Sequence, residues 1–122
     1  MEFLDVLKAL GDENRIRIIN LLRQEALCVC ELEVILNLSQ SNASRHVTKL
    51  KNAKLIIGEK KAQWIYYRLD RNILEKFSFL NALFHEDLTR LQQCQADLLQ
   101  LKKHKESGIG CEELTENKTM RL

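Results

Sequence analysis

Apolar positions recur at helical spacing through the first half of the chain. Residues 3–10 are apolar at positions 3, 4, 6, 7 and 10, and similar patterns follow in 13–24, 28–36 and 40–53. This spacing predicts four short amphipathic helices. Gly11 can end the first helix, whereas Asp12 and Ser39 are residue types that cap the start of a helix.

The third and fourth predicted helices are separated by only about three residues, the segment NLS. The fourth helix is apolar at positions 43, 47 and 50, and the residues between them form a polar face rich in hydrogen-bond donors. A short helix, a tight turn and a second helix with a polar outer face form a helix-turn-helix.

The apolar period changes from 3.6 to 2 after the fourth helix. Residues 55–69 are rich in β-branched and aromatic side chains on either side of a polar centre, GEKKAQ. This pattern predicts a β-hairpin, which would be the wing of a winged helix-turn-helix. The centre lacks an Asn-Gly turn signal, so we expect a longer, mobile loop.

Residues 71 to about 105 contain no glycine or proline, and Asp70 can cap a helix there. Phe77, Phe84, Leu91 and Leu98 recur every seven residues, a spacing typical of coiled coils. We expect one long helix that pairs with a second copy, with a bend near 85–87. The predicted fold is mainly α with a small β-hairpin: a winged helix-turn-helix with a long C-terminal dimerisation helix. Residues 1–106 form this domain, and 107–122 are a flexible tail.

The distribution of charged residues along the chain indicates what kind of partner the protein binds. The 122 residues carry a formal net charge of only +2. However, residues 39–61 contain six basic residues and one acid. Lys and Arg supply the phosphate contacts that dominate DNA affinity, and polar side chains early on a helix can reach base edges. The predicted DNA-binding residues are Gln40, Ser41, Asn42, Ser44, Arg45, His46, Thr48, Lys49, Lys51, Lys60 and Lys61.

Other classes of protein lack support in the sequence. No apolar run approaches the roughly 20 residues that cross a bilayer, and the acidic N-terminus does not resemble a signal peptide. We therefore expect a cytoplasmic protein with no membrane partner. The chain shows no Ser–His–Asp set, Gly-rich phosphate loop or paired carboxylates, so we expect neither an enzyme nor an organic cofactor.

Four segments together resemble the ArsR/SmtB family of winged-helix metalloregulators: LKALGDENRIRIINLL, LCVCEL, LSQSNASRHVTKLKNAKLI and WIYYRL. The resemblance covers about residues 7–70, more than half of the chain. It implies a homodimeric transcriptional repressor that binds double-stranded operator DNA and releases it when a toxic metal or metalloid ion binds. The CVC segment looks like the thiolate site of the family's arsenite-type and heavy-metal sensors, which implies Cys28 and Cys30 as ligands.

The chemistry of Cys28 and Cys30 supports a metal site independently. Thiolates are soft ligands and select soft ions such as As(III), Sb(III) or Cd(II). The start of a helix favours the thiolate form, because unpaired N–H groups and the helix dipole stabilise an anion. Residues i and i+2 diverge by about 200° on a regular helix. We therefore expect that a bound ion distorts the third helix and displaces the fourth helix from DNA.

The identity of the ion and of its third ligand stays open in the sequence. Arsenite sensors of this family often have a third cysteine where this chain has Glu33. Candidates for the third ligand are Cys111, Cys94, Glu33, a small thiol and water. We favour As(III) or Sb(III) over Cd(II), Pb(II) and Zn(II), because two close thiolates without a neighbouring histidine suit them best. Alternatives are a thiol-redox-sensing repressor and a metal-binding protein without a DNA partner.

Overall fold

The computed structural model describes residues 1–111, 113 and 114, and the predicted mobility of the remaining tail residues lies outside this part of the chain. Four helices come first: α1 (Glu2–Leu10), α2 (Glu13–Leu22), α3 (Val29–Leu36) and α4 (Gln40–Asn52). The hairpin strands are β1 (Ile56–Lys61) and β2 (Trp64–Leu69). Helices α5 (Asn72–Lys76), α6 (Phe79–Ala82) and α7 (Gln92–Ser107) complete the order.

The predicted caps at Asp12 and Ser39 are confirmed in atomic detail, whereas Arg71, and not Asp70, occupies the N-cap position of α5. Asp12 Oδ1 accepts a hydrogen bond from the Arg15 N–H at 3.1 Å, and Ser39 Oγ accepts one from the Asn42 N–H at 3.2 Å. Each bond satisfies a backbone donor that a helix leaves unpaired in its first turn. Local sequence thus sets where α2 and α4 begin.

Helix α2 lies at the centre of the core. Its residues Ile18, Ile19, Leu21 and Leu22 are buried and pack with apolar side chains from α1, α3, α4 and the hairpin. Burying one such side chain contributes about 1.5–3 kcal/mol. The apolar stripes of the surrounding helices therefore determine which face each helix turns inward and which polar face it leaves in solvent.

The prediction of a long loop in the hairpin is wrong. Lys61 pairs directly with Trp64, so Ala62 and Gln63 alone form the turn. Ala62 takes a left-handed conformation with a φ of 56°, which costs a non-glycine residue about 1–2 kcal/mol. The antiparallel pairing continues through the polar segment as far as Lys61. This pairing holds the two-residue turn closed although the turn has no Asn-Gly sequence.

The prediction of one long last helix is wrong, because only α7 has the expected regular form, whereas the predicted bend near 85–87 coincides with an irregular turn. The backbone is extended at Phe77 and again at Leu91, and a π-helical turn (Leu83–Asp87) and a 3-10 turn (Leu88–Arg90) lie between α6 and α7. These breaks let Leu80, Phe84 and Leu88 all reach the core, where each is fully buried. A straight helix of the same length could bury only some of these apolar side chains in such a small core.

Helix α7 is held against α2 by buried polar contacts. The Arg17 guanidinium donates two hydrogen bonds to the Asp97 carboxylate, at 2.8 and 3.0 Å. The hydrogen bond to Asp97 raises the pKa of Arg17. Asn20 Nδ2 also donates to the Cys94 carbonyl at 3.1 Å. Because Asp97 is buried, the charge pair has strong geometric preferences and sets the position of α7 along α2.

Asp97→Asn should lower the free energy of unfolding by about 2–3 kcal/mol, because it leaves a half-buried guanidinium without its charged partner. Urea unfolding followed by circular dichroism measures the change. The matched control is Glu106→Gln, the same chemical change at an exposed position of α7. Equal effects of the two substitutions would show that the Arg17 pair does not hold the helix.

Candidate functional site

The predicted helix-turn-helix is present. Helix α3 ends at Leu36, and its C-cap residue Asn37 has a left-handed backbone with a φ of 55°. The Leu38 N–H donates to the Glu33 carbonyl at 3.0 Å. Asn is one of the residue types that adopt this conformation at a helix C-terminus. Ser39 then caps α4, so the turn between the helices is fixed by local hydrogen bonds.

Helix α4 presents a continuous polar face to solvent. Ala43, Val47 and Leu50 point into the core, and this orients the opposite face outward. The Arg45 guanidinium donates to Asn42 Oδ1 at 3.1 Å, and Thr48 Oγ1 donates to the Ser44 carbonyl at 2.9 Å. The exposed predicted residues on this helix are Gln40, Ser41, Asn42, Ser44, Arg45, Thr48, Lys49 and Lys51.

The hairpin adds two exposed cations at its tip. Lys60 and Lys61 lie at the end of β1, and the Lys61 ammonium is 5.6 Å from the centroid of the Tyr66 ring. Such cation–π contacts are worth about 0.5–1 kcal/mol at exposed sites. The structure thus places positive charge on both the fourth helix and the wing.

His46 departs from the predicted set, because its side chain is directed inward. It is only 4% exposed, and its Nδ1 lies 3.2 Å from an Arg15 guanidinium nitrogen and 3.9 Å from Asp12 Oδ1. Burial lowers the pKa of His46, although the nearby Asp12 acts in the opposite direction. His46 therefore joins α4 to the start of α2 instead of facing solvent with its neighbours.

Cys28 precedes α3 and does not belong to it. Its backbone is extended, with φ −87° and ψ 167°, and it occupies the N-cap position. The expectation that Cys28 and Cys30 diverge by two helical steps therefore fails, because only Cys30 lies within the helix. Cys28 is 3% exposed, and its backbone N–H donates to Glu31 Oε1 at 3.2 Å.

Cys111 is the side chain that the structure brings to Cys28. The two Sγ atoms are in bonding contact, although 83 positions separate the residues in sequence. Cys111 is 1% exposed, and its Sγ lies 4.0 Å from Glu31 Oε1. Potential ligand atoms of Cys28, Glu31 and Cys111 all lie within 4.8 Å of one another. We call these three residues the Cys28 cluster.

A second buried contact supports the Cys28 cluster from α7. The other oxygen of Glu31 lies 2.7 Å from His104 Nε2, and the Lys105 ammonium is 4.0 Å away. Glu31 is 2% exposed, so its buried carboxylate needs these polar partners. The Glu31 carboxylate thus connects the start of α3, the end of α7 and the segment that carries Cys111.

The other predicted ligands lie outside this arrangement in the described part of the chain. Cys30 is half-buried in the first turn of α3 and is not within the Cys28 cluster. Cys94 is buried on α7, where burial raises the pKa of its thiol. Glu33 is buried on α3. The structure therefore brings together Cys28 and Cys111 among the residues considered from the sequence.

Glu31 and His104 were not identified from the sequence. Glu31 stands three residues after the N-cap, the position from which a carboxylate bonds back to the cap N–H, so its role in the cap could have been found. His104 follows the buried residues Cys94, Asp97 and Leu101 at helical spacing. That spacing predicts an inward direction, but no local signal pairs His104 with Glu31, 73 positions away.

The order of elements defines the structural class of the protein: it is a winged helix-turn-helix protein. The sequence profile described as "Bacterial regulatory protein, arsR family" matches residues 12–57, from the cap of α2 into β1. HlyU from Vibrio cholerae is 31% identical in sequence, with a TM-score of 0.58 over 69% of this chain and 91% of that one. The chain belongs to the arsR family of bacterial regulatory proteins.

Two relatives carry names that refer to metal resistance. The arsenic resistance transcriptional regulator ArsR1 of Pseudomonas putida is 46% identical over 65 residues, 52% of this chain and 51% of the relative. A cadmium resistance transcriptional regulatory protein CadC homolog of Staphylococcus aureus is 38% identical over 71 residues, 57% of this chain and 59% of the relative. The matched part of the chain thus spans about half to three fifths of these relatives. In the described part of the chain, no helix combines the length and apolar character needed to span a membrane.

The lowered pKa of His46 predicts a loss of stability in mild acid. The unfolded state takes up a proton near pH 6.5, whereas the folded state does so only at lower pH. The free energy of unfolding should therefore fall as the pH decreases below 6.5, by at most about 1.4 kcal/mol per pH unit from this group.

Urea unfolding between pH 7.5 and 5 measures this dependence. His46→Gln should be less stable at pH 7.5 and should lose less stability on acidification than the unsubstituted protein. His85→Gln changes an exposed histidine and serves as the control. Parallel pH profiles for His46→Gln and the unsubstituted protein would contradict the assignment.

Proposed function

We propose that this protein is a homodimeric transcriptional repressor that binds double-stranded operator DNA and leaves it when a soft ion binds its cysteine thiolates. The observation that carries the proposal is the exposed polar and basic face of α4 on a helix-turn-helix of the arsR family. The favoured inducers are As(III) and Sb(III), and the favoured ligands are Cys28 and Cys30.

The charge and orientation of α4 support DNA binding. The first two turns of a recognition helix are the part that reaches base edges in the major groove. Here these turns carry exposed Gln40, Ser41, Ser44 and Arg45. Lysines further along α4 and at the tip of the hairpin are suited to phosphate contacts on either side of the groove. His46 is left out of this surface because it is buried.

An exposed apolar surface supports pairing with a second copy. Phe3 of α1 packs against Phe77 and Phe79, with ring centroids 5.7 Å apart in each pair. Phe3, Leu7 and Phe79 nevertheless remain about 40% exposed. Beside them is a groove of about 500 Å³, which Leu7, Ile16, Phe79 and Leu83 help to line. A contiguous apolar surface of this kind is typical of a subunit interface.

The position of Cys28 supports coupling between ion binding and the DNA-binding elements. The neighbouring residue, Leu27, exchanges two backbone hydrogen bonds with Tyr67 of β2, at 2.8 and 3.0 Å. On its other side, Cys28 caps α3, which packs directly against α4. A change at Cys28 therefore reaches the wing and the recognition helix through short, direct contacts. An ion can act in this way only if it binds the altered state more tightly.

The contact between Cys28 and Cys111 favours a second candidate, a thiol redox sensor. Hydrogen peroxide can take two electrons from two thiols, which yields a disulfide and two water molecules. The pair that the structure brings together differs from the Cys28–Cys30 pair expected from the sequence. Under this candidate, peroxide releases the DNA and arsenite does not.

Lys49→Ala should weaken DNA binding and reduce the slope of log affinity against log salt concentration by about one, because one phosphate contact is lost. Arg45→Ala should weaken binding and alter the preferred sequence. Fluorescence anisotropy with duplexes enriched from a random pool measures both, and sedimentation should give two chains for each bound duplex.

Lys102→Ala changes an exposed lysine of α7 and should leave DNA affinity unchanged. An unsubstituted protein that enriches no duplex would overturn the proposed DNA partner. Equal losses in the Lys102 and Lys49 variants would show that net charge, and not the α4 surface, determines binding.

Arsenite or Sb(III) should release the DNA at lower concentration than Cd(II) or Zn(II). The double variant Cys28→Ser with Cys30→Ser should bind DNA normally and should not be released. Cys94→Ser is the matched control, because Cys94 is buried on α7, and it should respond like the unsubstituted protein. If arsenite released the double variant from DNA, the assignment of Cys28 and Cys30 as ligands would be wrong. If only peroxide released the unsubstituted protein from DNA, the redox candidate would be favoured.

A further inference from the structure

We propose that Cys111 of the same chain is the third thiolate ligand of the soft-ion site, together with Cys28 and Cys30. The inference rests on the proposed function, since it concerns the site at which the inducer binds. Its consequence is that the bound ion connects the segment after α7 to the start of α3.

The placement of Cys111 carries the proposal. Its Sγ reaches the Sγ of Cys28, and both side chains are almost completely buried. Gly108, with a left-handed φ of 70°, ends α7 and turns the chain back toward α3. The Leu114 N–H donates to the Gly110 carbonyl at 3.1 Å, on either side of Cys111 in the sequence. These contacts place the Cys111 thiol at the start of α3.

Glu31 positions both cysteines for a shared ion. One of its oxygens accepts the Cys28 N–H and lies 4.0 Å from the Cys111 Sγ, while the other contacts His104. This arrangement fixes the backbone of Cys28 and keeps the carboxylate at the side of the thiol pair. Glu31 and His104 are positioning residues here, because the proposed ligands are the three sulfur atoms.

Trivalent arsenic can bind three thiols at once. Arsenous acid has three As–O bonds, and each can be replaced by an As–S bond as the thiol proton leaves with the hydroxide as water. Three thiols thus yield one As(III) trithiolate and three water molecules, with no change in oxidation state. Cys28 and Cys111 supply two sulfur atoms that the fold already brings together, and Cys30, in the first turn of α3, supplies the other. The Cys28 and Cys111 side chains must both be reduced thiols for this reaction.

Counting thiols tests the proposal directly. The reduced chain has four cysteines, so arsenite should protect three of them and leave Cys94. Cys111→Ser should leave only two protected thiols and lower arsenite affinity about 100-fold, because an intramolecular ligand is lost. The control Cys94→Ser should keep three protected thiols and the original affinity. Urea unfolding of the reduced variants should establish that each one is folded.

A mixed dimer distinguishes a site within one chain from a site shared between chains. One subunit carries Cys28→Ser with Cys30→Ser, and the other carries Cys111→Ser. This dimer has a complete ligand set only across the interface, so it should bind arsenite no more tightly than the Cys111→Ser homodimer. Recovery of tight binding would overturn the assignment to a single chain.

The outcomes separate this inference from the proposed function. If arsenite protects two thiols in the unsubstituted protein and Cys111→Ser changes neither that number nor the affinity, the role of Cys111 is overturned and Cys28 and Cys30 remain the inducer site. If arsenite fails to release DNA from the unsubstituted protein, the proposed function fails whatever the number of protected thiols.

Discussion

The position of α7 depends on one buried ion pair, Arg17 with Asp97. When a carboxylate and a guanidinium are buried as a pair, they need a defined, bidentate geometry to compensate for lost hydration. Helix α7 can therefore occupy only one register along α2. Seven residues further along the same face, this register brings His104 to Glu31 at the start of α3. It also brings Cys111 to Cys28. The candidate thiol site is therefore a consequence of how the last helix is held.

The two faces of α4 show how packing selects a surface for function. Small and branched apolar side chains fill the inner face, and this leaves amide, hydroxyl and cationic groups in a row on the outer face. His46 lies between the inner and outer faces of α4, and its side chain turns inward to contact Arg15 and Asp12. The same burial thus removes one polar residue from the surface and lowers the pKa of His46.

Cys28 stands where three parts of the molecule meet. The backbone before it pairs with β2, the helix after it packs against α4, and its side chain touches the segment beyond α7. A thiol in the middle of a helix would affect mainly that helix. At this junction, Cys28 is close to both the wing and α4, and this position is what the proposed induction depends on.

Sequence alone determined the features that depend on neighbours in the chain. The caps at Asp12 and Ser39, the turn at Asn37 and the paired strands all follow from residues within a few positions of one another, and most of the exposed face of α4 follows from helical periodicity. Tertiary structure decided the rest. The breaks at Phe77 and Leu91 arise because the apolar residues of this segment must all reach one small core. His46 turns inward toward Arg15, 31 positions away, and Cys28 meets Cys111, 83 positions away. Packing and desolvation determine such distant pairings, and they leave no periodic pattern in the sequence.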